Sequence, residues 1–298
     1  MKKSNRTLKK IIHFISESFD FFILMLFIIM FGICLYSNYQ SDLIYKKADP
    51  KQYALYKPDD ESNLNFKNLI KKNPDTVGWL NVYGTKIDYP VMKSTDNDKY
   101  INTNPLGEFA LSGSLFLDYR NSRDNMDFDT IIYGHHMEHQ KMFGSLDSFK
   151  KQGYFNKHKY GTYYFNNRNY GVEYFAVLSL NAYDNAVYEP AITDISAKSN
   201  YLNYIKSNSL CYRECGITEN DHLIVLSTCA MANTDERTIL VGRITDSIHK
   251  NTYSKPASTD SDVKTPYISR VLLIIILMAI LIVIVVLRKR KKEKRRDS

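Results

Sequence analysis

Two long apolar runs stand near the ends of the chain, and a patterned, more polar stretch lies between them. Residues 21–36 (FFILMLFIIMFGICLY) and 271–287 (VLLIIILMAILIVIVVL) contain no charged side chain. As helices, such runs cover roughly 25 Å at about 1.5 Å per residue. Each is therefore predicted to be a transmembrane helix. No small-x-small cleavage site follows the first run, which favours a retained anchor over a cleaved secretory signal.

The charges beside the two runs predict their orientation. Residues 1–20 carry a net charge of +3 and residues 288–298 a net charge of +6. Basic flanks stay in the cytoplasm, so we expect a cytoplasmic basic segment at 1–20 and a cytoplasmic basic tail at 288–298. Because these ends account for more than the total of +8, the part between the spans is nearly neutral, which argues against nucleic-acid binding.

The stretch between the spans divides into three parts. Residues 37–57 are polar and Tyr-rich, and we interpret them as an extracellular stalk. Residues 58–245 have the alternation of a folded domain. Residues 246–270 are rich in Ser, Thr, Asp and Lys and are interpreted as a linker to the second span.

The folded domain is predicted to begin with a short amphipathic helix over 59–72. Its apolar positions are Leu64, Phe66, Leu69 and Ile70. Candidate residues for capping its start are Asp59, Asp60 and Ser62, and Asn73-Pro74 is expected to end it.

Eight short segments after this helix have the character of β-strands. They are residues 77–82, 86–92, 114–118, 130–133, 161–165, 173–180, 222–228 and 238–244. Pro90 is expected to restrict the second of them to an edge or a bulge. Short strands joined by turns predict a mainly β fold that closes into a barrel.

One connection in this barrel is much longer than the others. About 40 residues separate Leu180 from His222, and residues 194–206 are predicted to be helical, with Ile195, Leu202 and Ile205 as the apolar face. Connections of this length in a compact domain are more often functional than idle.

Cysteine is sparse for an extracellular chain. Cys34 lies in the first span, and only Cys211, Cys215 and Cys229 lie outside. The odd number leaves at least one thiol free, and Cys211 and Cys215 are interpreted as ordinary small residues. No CxxC or Cys/His grouping indicates a metal site, and no organic cofactor is implied.

Cys229 ends the apolar segment VLSTCA and is open to three interpretations: a core residue, half of a disulfide, or a nucleophile. A nucleophilic thiol needs a base or cation that favours the thiolate, because its ordinary pKa is about 8.5. His135 follows a strand and a glycine in IIYGHHM, and Arg237 opens the segment RTILVGRI. If these strands are neighbours, the thiol, the imidazole and the guanidinium meet at one edge of the barrel.

These motifs resemble those of the sortases. VLSTC is similar to the TLxTC signature of that family, YGHHM to its Gly-His motif, and Arg237 to its arginine before the last strand. Between Leu64 and Ile244, the segments NPDTVGWLNVYGTKIDYPVM, DNDKYI and GSLFLDYRN are similar to class B sortases. Sortases are membrane-anchored cysteine transpeptidases of Gram-positive bacteria. The resemblance implies a sortase-like eight-stranded barrel, with an N-terminal helix and a helix-containing insertion before the cysteine strand.

The resemblance also implies a role for each motif residue. Cys229 is expected to be the nucleophile, His135 the proton-transfer partner, and Arg237 the donor to the substrate carbonyl or oxyanion. The N–H of Ala230, beside Thr228, is expected to support the oxyanion as well. The implied reaction cleaves a sorting motif after Thr, forms a thioacyl-enzyme and passes the acyl group to an amine.

The acyl acceptor stays open at this point. We expect surface proteins to be transferred to a peptidoglycan amine, with polymerisation of pilins through a lysine amine as the alternative. A C-terminal span is more familiar in pilus-building class C sortases, but residues 37–75 contain no Asp-Pro-aromatic lid. A secreted cysteine hydrolase is another alternative. A wall-anchored structural protein is disfavoured, because SDVKTPYISR before the second span contains no sorting pentapeptide.

Overall fold

In the computed structural model, which describes residues 2–59, 63–228, 235–253 and 288, a long apolar helix precedes a domain built mainly from β-strands. The helices are α1 (Lys2–Lys47), α2 (Leu64–Lys72), α3 (Gln152–Lys157) and α4 (Ile195–Asn208). The strands are β1 (Thr76–Val82), β2 (Asp88–Met92), β3 (Leu115–Leu117), β4 (Asp129–Gly134), β5 (Tyr160–Phe165), β6 (Arg168–Asn181), β7 (Ser209–Tyr212), β8 (His222–Thr228) and β9 (Glu236–Thr245).

Eight of the strands in the described ranges close into a barrel. Their order is β5-β1-β2-β3-β4-β8-β9-β6, and β6 pairs back onto β5. The ninth strand, β7, pairs with the second half of β6 and was not predicted. The predicted mainly β, eight-stranded barrel with a helix before it and a helix-containing insertion is confirmed.

The prediction for Pro90 is wrong in one of its two alternatives. Strand β2 lies between β1 and β3, so it is not an edge strand. Pro90 faces Trp79 of β1, and the register of this pairing shifts next to it, between Gly78 and Thr76, as at a bulge. Pairing between β2 and β3 begins only at Val91. The missing N–H of Pro90 therefore falls just before the stretch that pairs with β3.

The middle of strand β8, residues 223–226, is continuously apolar, and both of its faces are buried. Ile224 and Leu226 point into the core that fills the barrel. Leu223 and Val225 belong to a second core, which also contains Tyr201 of α4. A strand that is buried on both sides has a continuous apolar run rather than an alternating one.

The insertion between β6 and β8 supplies the cover of this second core. Helix α4 begins after Asp194, whose side chain accepts a hydrogen bond from the N–H of Ala197 at 2.8 Å. Tyr201 and Ile205 are its buried residues, whereas Ile195, predicted on the apolar face, is exposed. In the segment that follows α4, Cys211 is buried, and both it and Cys215 are free thiols.

Helix α2 starts later than predicted. Asn63 has a left-handed φ of 51°, and its N–H donates to the Asp59 carboxylate at 3.0 Å, which fixes a turn before the helix. The buried face consists of Phe66 and Leu69. Of the other proposed capping residues, Asp60 and Ser62 lie outside the described residues.

The segment expected as a stalk differs from the prediction, since much of it packs within the compact unit Ser41–Lys255. Ala48, Tyr53 and Tyr56 are buried in the barrel core. Composition alone indicated a polar surface, but a tyrosine buries its ring while its hydroxyl finds a partner. The Tyr53 hydroxyl donates to the Lys47 carbonyl at 2.9 Å, and Tyr89 donates to the Ala48 carbonyl at 2.8 Å.

The predicted first span lies inside α1. Within the described part of the chain, Ile11–Lys47 is the helix that is long and apolar enough to cross a membrane, and its most apolar stretch has a mean hydropathy of 2.5. The predicted second span, 271–287, lies outside the described residues. So do most of the linker 246–270 and all of the basic tail except Arg288.

Candidate active site

Strands β4 and β8 run parallel and end side by side. Gly134, the last residue of β4, is the register partner of Thr228, the last residue of β8. His135 follows Gly134 directly. A Cβ atom at Gly134 would lie 2.4 Å from the Leu115 side chain and 2.8 Å from the Phe143 side chain, so a larger residue would force these two buried side chains to move. Packing therefore favours the glycine of the Gly-His motif.

Arg237 reaches the same edge from the other side of β8. Its Nη1 donates to the Thr228 carbonyl at 2.8 Å. The N–H of the next residue, Thr238, donates to the Thr228 hydroxyl at 3.0 Å. Of the predicted site residues, the structure thus brings His135, Thr228 and Arg237 to one edge, while Cys229 and Ala230 lie outside the described residues.

The half-buried imidazole of His135 is held by a backbone carbonyl. Its Nε2 lies 2.7 Å from the carbonyl oxygen of Ile101, in the loop between β2 and β3. A carbonyl oxygen only accepts hydrogen bonds, so Nε2 carries a proton in this arrangement. In the neutral ring, Nδ1 is then the nitrogen that accepts a proton.

The neighbouring His136 has a different partner. Its Nε2–H donates to Asp147 at 2.6 Å, and the other oxygen of Asp147 accepts from the Thr238 hydroxyl at 2.5 Å. Burial raises the pKa of the Asp147 carboxyl, but the Thr238 hydrogen bond and the charges of His136 and Lys150 outweigh it and hold that pKa below its usual value. His136 and Asp147 therefore connect the loop after β4 to Thr238 of strand β9 by hydrogen bonds.

The insertion between β6 and β8 forms one wall of the candidate site, beside the end of β8. The Tyr188 hydroxyl lies 3.0 Å from the hydroxyl of Ser227, which is fully buried. The Tyr188 ring stacks on Tyr133 of β4, with the ring centroids 6.2 Å apart. Sequence reasoning missed Tyr188, and it missed Ile101 and Asp147 as well. Across the part of the chain that the structure describes, no group of three or more His, Cys, Asp or Glu is placed to hold a metal ion.

Comparison with known proteins decides the family. No protein-family model matches the chain. Sortase B of Staphylococcus aureus (strain NCTC 8325 / PS 47) is 30% identical over 232 residues, which cover 74% of this chain and 93% of the relative. Sortase B of Listeria monocytogenes serovar 1/2a is 32% identical over 226 residues, which cover 74% of this chain and 92% of the relative. The chain belongs to the sortase B family.

Solved sortase structures agree with this assignment. A Staphylococcus aureus sortase B–substrate complex has a TM-score of 0.62 and 28% identity, covering 71% of this sortase and 99% of that chain. A Streptococcus pyogenes class B sortase involved in pilus biogenesis has a TM-score of 0.56 and 39% identity, covering 61% of this sortase and 98% of that chain. The predicted family and enzyme class are confirmed: this sortase is a cysteine transpeptidase. Sortases are membrane-associated, and α1 contains the candidate span.

Proposed function

We propose that this sortase is a membrane-anchored transpeptidase that cleaves a C-terminal sorting motif after Thr and transfers the protein to a cell-wall amine. The observation that carries the proposal is the meeting of His135, Arg237 and the end of β8 at Thr228. Cys229 is the next residue in the sequence. In a sortase, a thiol at that position beside an imidazole and a guanidinium suits thioacyl chemistry.

In the first half-reaction, the Cys229 sulfur attacks the carbonyl carbon of the Thr residue and its thiol proton passes to Nδ1 of His135. The contact with Ile101 orients the ring for this transfer. The carbonyl oxygen becomes an oxyanion, and we assign its stabilisation to Arg237 and to the N–H of Ala230. His135 then gives its proton to the departing amine as the peptide bond breaks, leaving a thioester on Cys229.

In the second half-reaction, an amine attacks the thioester carbonyl. His135 takes a proton from the attacking nitrogen, the C–S bond breaks, and Cys229 leaves as thiolate. The proton on His135 then returns to the sulfur and restores the starting state. A guanidinium has five N–H donors, so the contact of one of them with the Thr228 carbonyl leaves others for the substrate. The Thr228 hydroxyl accepts from Thr238, so we propose that Thr228 supports the site by holding β9 and Arg237.

We propose a topology with two spans, at 21–36 and 271–287, both termini in the cytoplasm and the catalytic domain outside. The apolar stretch of α1 supports the first span. The basic flanks of both runs support the orientation. This topology places the catalytic domain on the side of the membrane where wall proteins are processed.

The substrate classes are inferred from relatives. One solved Staphylococcus aureus sortase B is in complex with a substrate. Another solved sortase B, 27% identical to this chain with a TM-score of 0.62, is in complex with triglycine. We therefore propose a sorting-signal peptide as acyl donor and an amine as acceptor, and triglycine is a suitable probe for the acceptor.

Pilin polymerisation is the second candidate function, and two solved structures favour it. The Streptococcus pyogenes sortase of pilus biogenesis and the sortase B from the type II pilus of Streptococcus pneumoniae are each 39% identical to this chain over the 61% of it that they cover. Polymerisation would use a pilin lysine as the amine in the same second half-reaction.

One experiment separates these candidates. The full-length chain in lipid vesicles is incubated with a sorting peptide plus triglycine and, separately, with candidate pilins carrying sorting signals. We expect peptide–triglycine conjugates and no pilin ladders. Covalent pilin ladders that Cys229→Ala abolishes would replace the wall-anchoring proposal with polymerisation. Cleavage with no amine-dependent product would contradict transpeptidation in either form.

A further inference from the structure

A buried carboxylate lies close behind the wall of the site. Asp118 follows β3 and has no exposed surface. Its oxygens accept hydrogen bonds from Nε and Nη2 of Arg120 at 2.9 Å each, and from the Tyr133 hydroxyl at 3.0 Å. Burial raises the pKa of Asp118, but the hydrogen bonds and charge of Arg120 outweigh it, so this pKa lies below its usual value. The pair therefore stays ionised at neutral pH.

The same guanidinium reaches across to the insertion. Nη2 of Arg120 donates to the carbonyl oxygen of Tyr188 at 2.9 Å, a contact between residues 68 positions apart. Because two hydrogen bonds to Asp118 hold one edge of the planar guanidinium, the direction of this third hydrogen bond is fixed too. Arg120 thus ties the insertion backbone to the barrel at one residue.

Tyr188 also contacts the end of strand β8. The Tyr188 side chain stacks on Tyr133, whose hydroxyl is bound to Asp118, and its own hydroxyl meets Ser227. Ser227 stands two positions before Cys229 in the sequence. Asp118, Arg120 and Tyr133 therefore hold both the backbone and the ring of Tyr188.

We propose that Arg120 is a positioning residue for peptide recognition, which acts by holding Tyr188 in the wall of the sorting-motif site. It does not touch the reacting atoms. Losing it lets Tyr188 move relative to Ser227, so the sorting peptide binds more weakly while the chemistry at the barrel edge proceeds. This inference rests on the proposed function, in that it requires the wall that Tyr188 forms at the end of β8 to bind the acyl donor.

The test compares Arg120→Lys with the native full-length chain in detergent. The variant keeps the positive charge beside buried Asp118 but lacks the planar guanidinium that contacts Asp118 and Tyr188 together. Arg168→Lys is the matched control, because Arg168 pairs with Asp246 at 2.8 Å on an exposed surface. Steady-state rates are measured with quenched fluorescent peptides containing an Asn-Pro-x-Thr or a Leu-Pro-x-Thr-Gly core and with triglycine as acceptor.

We expect Arg120→Lys to raise KM for the better sorting peptide by roughly tenfold or more, the worth of a charge-assisted hydrogen bond. We expect kcat and the KM for triglycine to stay within about twofold of the native values. In the control Arg168→Lys, these two constants and the KM for the sorting peptide should all stay within that range. A loss of kcat in parallel with a fall in melting temperature, or a KM equal to that of the control, would overturn the proposal.

A double-mutant cycle with Tyr188→Phe covers the case in which Arg120→Lys is less stable. If Arg120 acts by keeping the Tyr188 hydroxyl at Ser227, the rise in KM should be much smaller in the Tyr188→Phe background, which lacks that hydroxyl. Equal effects in both backgrounds would show that Arg120 has only a general structural role. The native chain is the internal check, because a native enzyme that joins no sorting peptide to triglycine refutes the proposed function itself.

Discussion

The two faces of β8 are buried in different ways. In our proposals, one face positions the catalytic groups and the other serves recognition of the sorting peptide. The inner face, with Ile224 and Leu226, packs into the closed barrel, where sheet register fixes every strand end. The outer face lies under an insertion whose Tyr188 is tied to Ser227 and Arg120 by single hydrogen bonds. The inner face thus sets the position of the strand ends that carry the proposed catalytic groups. The outer face contributes one wall of the candidate site, which a few polar contacts hold in place.

Substitution of the proposed catalytic groups should lower activity the most. Cys229→Ala or His135→Ala should lower kcat/KM by about a thousandfold or more, since general acid–base catalysis alone contributes about 10²–10⁴. His136→Ala is the matched control, because His136 braces Asp147. Its kcat/KM should fall by less than about tenfold. Peptide–triglycine ligation measures kcat/KM for all three variants. A loss in His136→Ala as large as in His135→Ala would contradict the assignment of proton transfer to His135.

Arg237→Lys should have the next largest effect. Lysine keeps the charge but loses the planar donor set that contacts Thr228 and, in our proposal, the oxyanion. Removing one such donor costs roughly 10²-fold in kcat or more, so we expect a loss of about that size with little change in KM. Near-native turnover would show that Arg237 only holds the end of β8.

A smaller effect should come from the loop that orients His135. Gly113 has a φ of 57°, and a Cβ atom there would lie 2.4 Å from the Ile101 carbonyl, which holds the imidazole. Gly107, in the same loop, has a φ of 83° and nothing within 4 Å. Both Gly→Ala variants carry the left-handed backbone cost of about 1 kcal/mol, but only Gly113→Ala displaces the carbonyl.

We therefore expect Gly113→Ala to lower kcat roughly tenfold further than Gly107→Ala does, as a displaced catalytic group would. Stopped-time ligation assays and thermal unfolding of both variants check this. Equal kcat values in the two variants would show that the Ile101 contact does not position His135.

Asp129 of β4, the register partner of Leu223 on the outer face of β8, should give the smallest effect on activity and a distinct effect on stability. Asp129 of β4 has no exposed surface, and burial raises its pKa to about 7. From about pH 4 to pH 7 the unfolded chain loses this proton while the folded chain keeps it, so stability falls by about 1.4 kcal/mol per pH unit. Asp129→Asn removes this dependence.

The melting-temperature advantage of Asp129→Asn over the native chain should thus grow from pH 5 to pH 7 and level off above. Activity at pH 7 should stay within about twofold, because Asp129 stands at the start of β4, and His135 follows the end of that strand. A constant difference in melting temperature over this pH range would contradict a raised pKa in the folded state.

Burial explains which elements were predictable from the sequence. Strand β8 was predicted with the bounds observed, since its apolar run is buried on both faces and ends at polar residues. Strand β7 was missed because four residues containing Ser and Cys have no distinctive pattern, and only pairing with β6 makes them a strand. The buried tyrosines at 53 and 56 lie in the segment that its polar, Tyr-rich composition predicts to be a stalk.

The site shows the same limit. Glycine before His135 and the spacing of Arg237 after Cys229 are visible in the sequence. The hydrogen-bond partner of His135 is a backbone carbonyl, and the sequence cannot predict this partner because every residue has such a carbonyl. Tyr188 and Asp147 reach the site from 39 and 91 positions away from Ser227 and Thr238, so only the folded barrel brings them together.

In our proposal, Cys229 carries the acyl group between donor and amine. Full-length protein mixed with a sorting peptide, quenched in acid and digested, should give a Cys229 peptide that is heavier by the acyl fragment ending in Thr. Triglycine added before the quench should remove this adduct and yield the peptide–triglycine conjugate. Cleavage of the sorting peptide with no adduct on Cys229, and with products that triglycine leaves unchanged, would contradict the account.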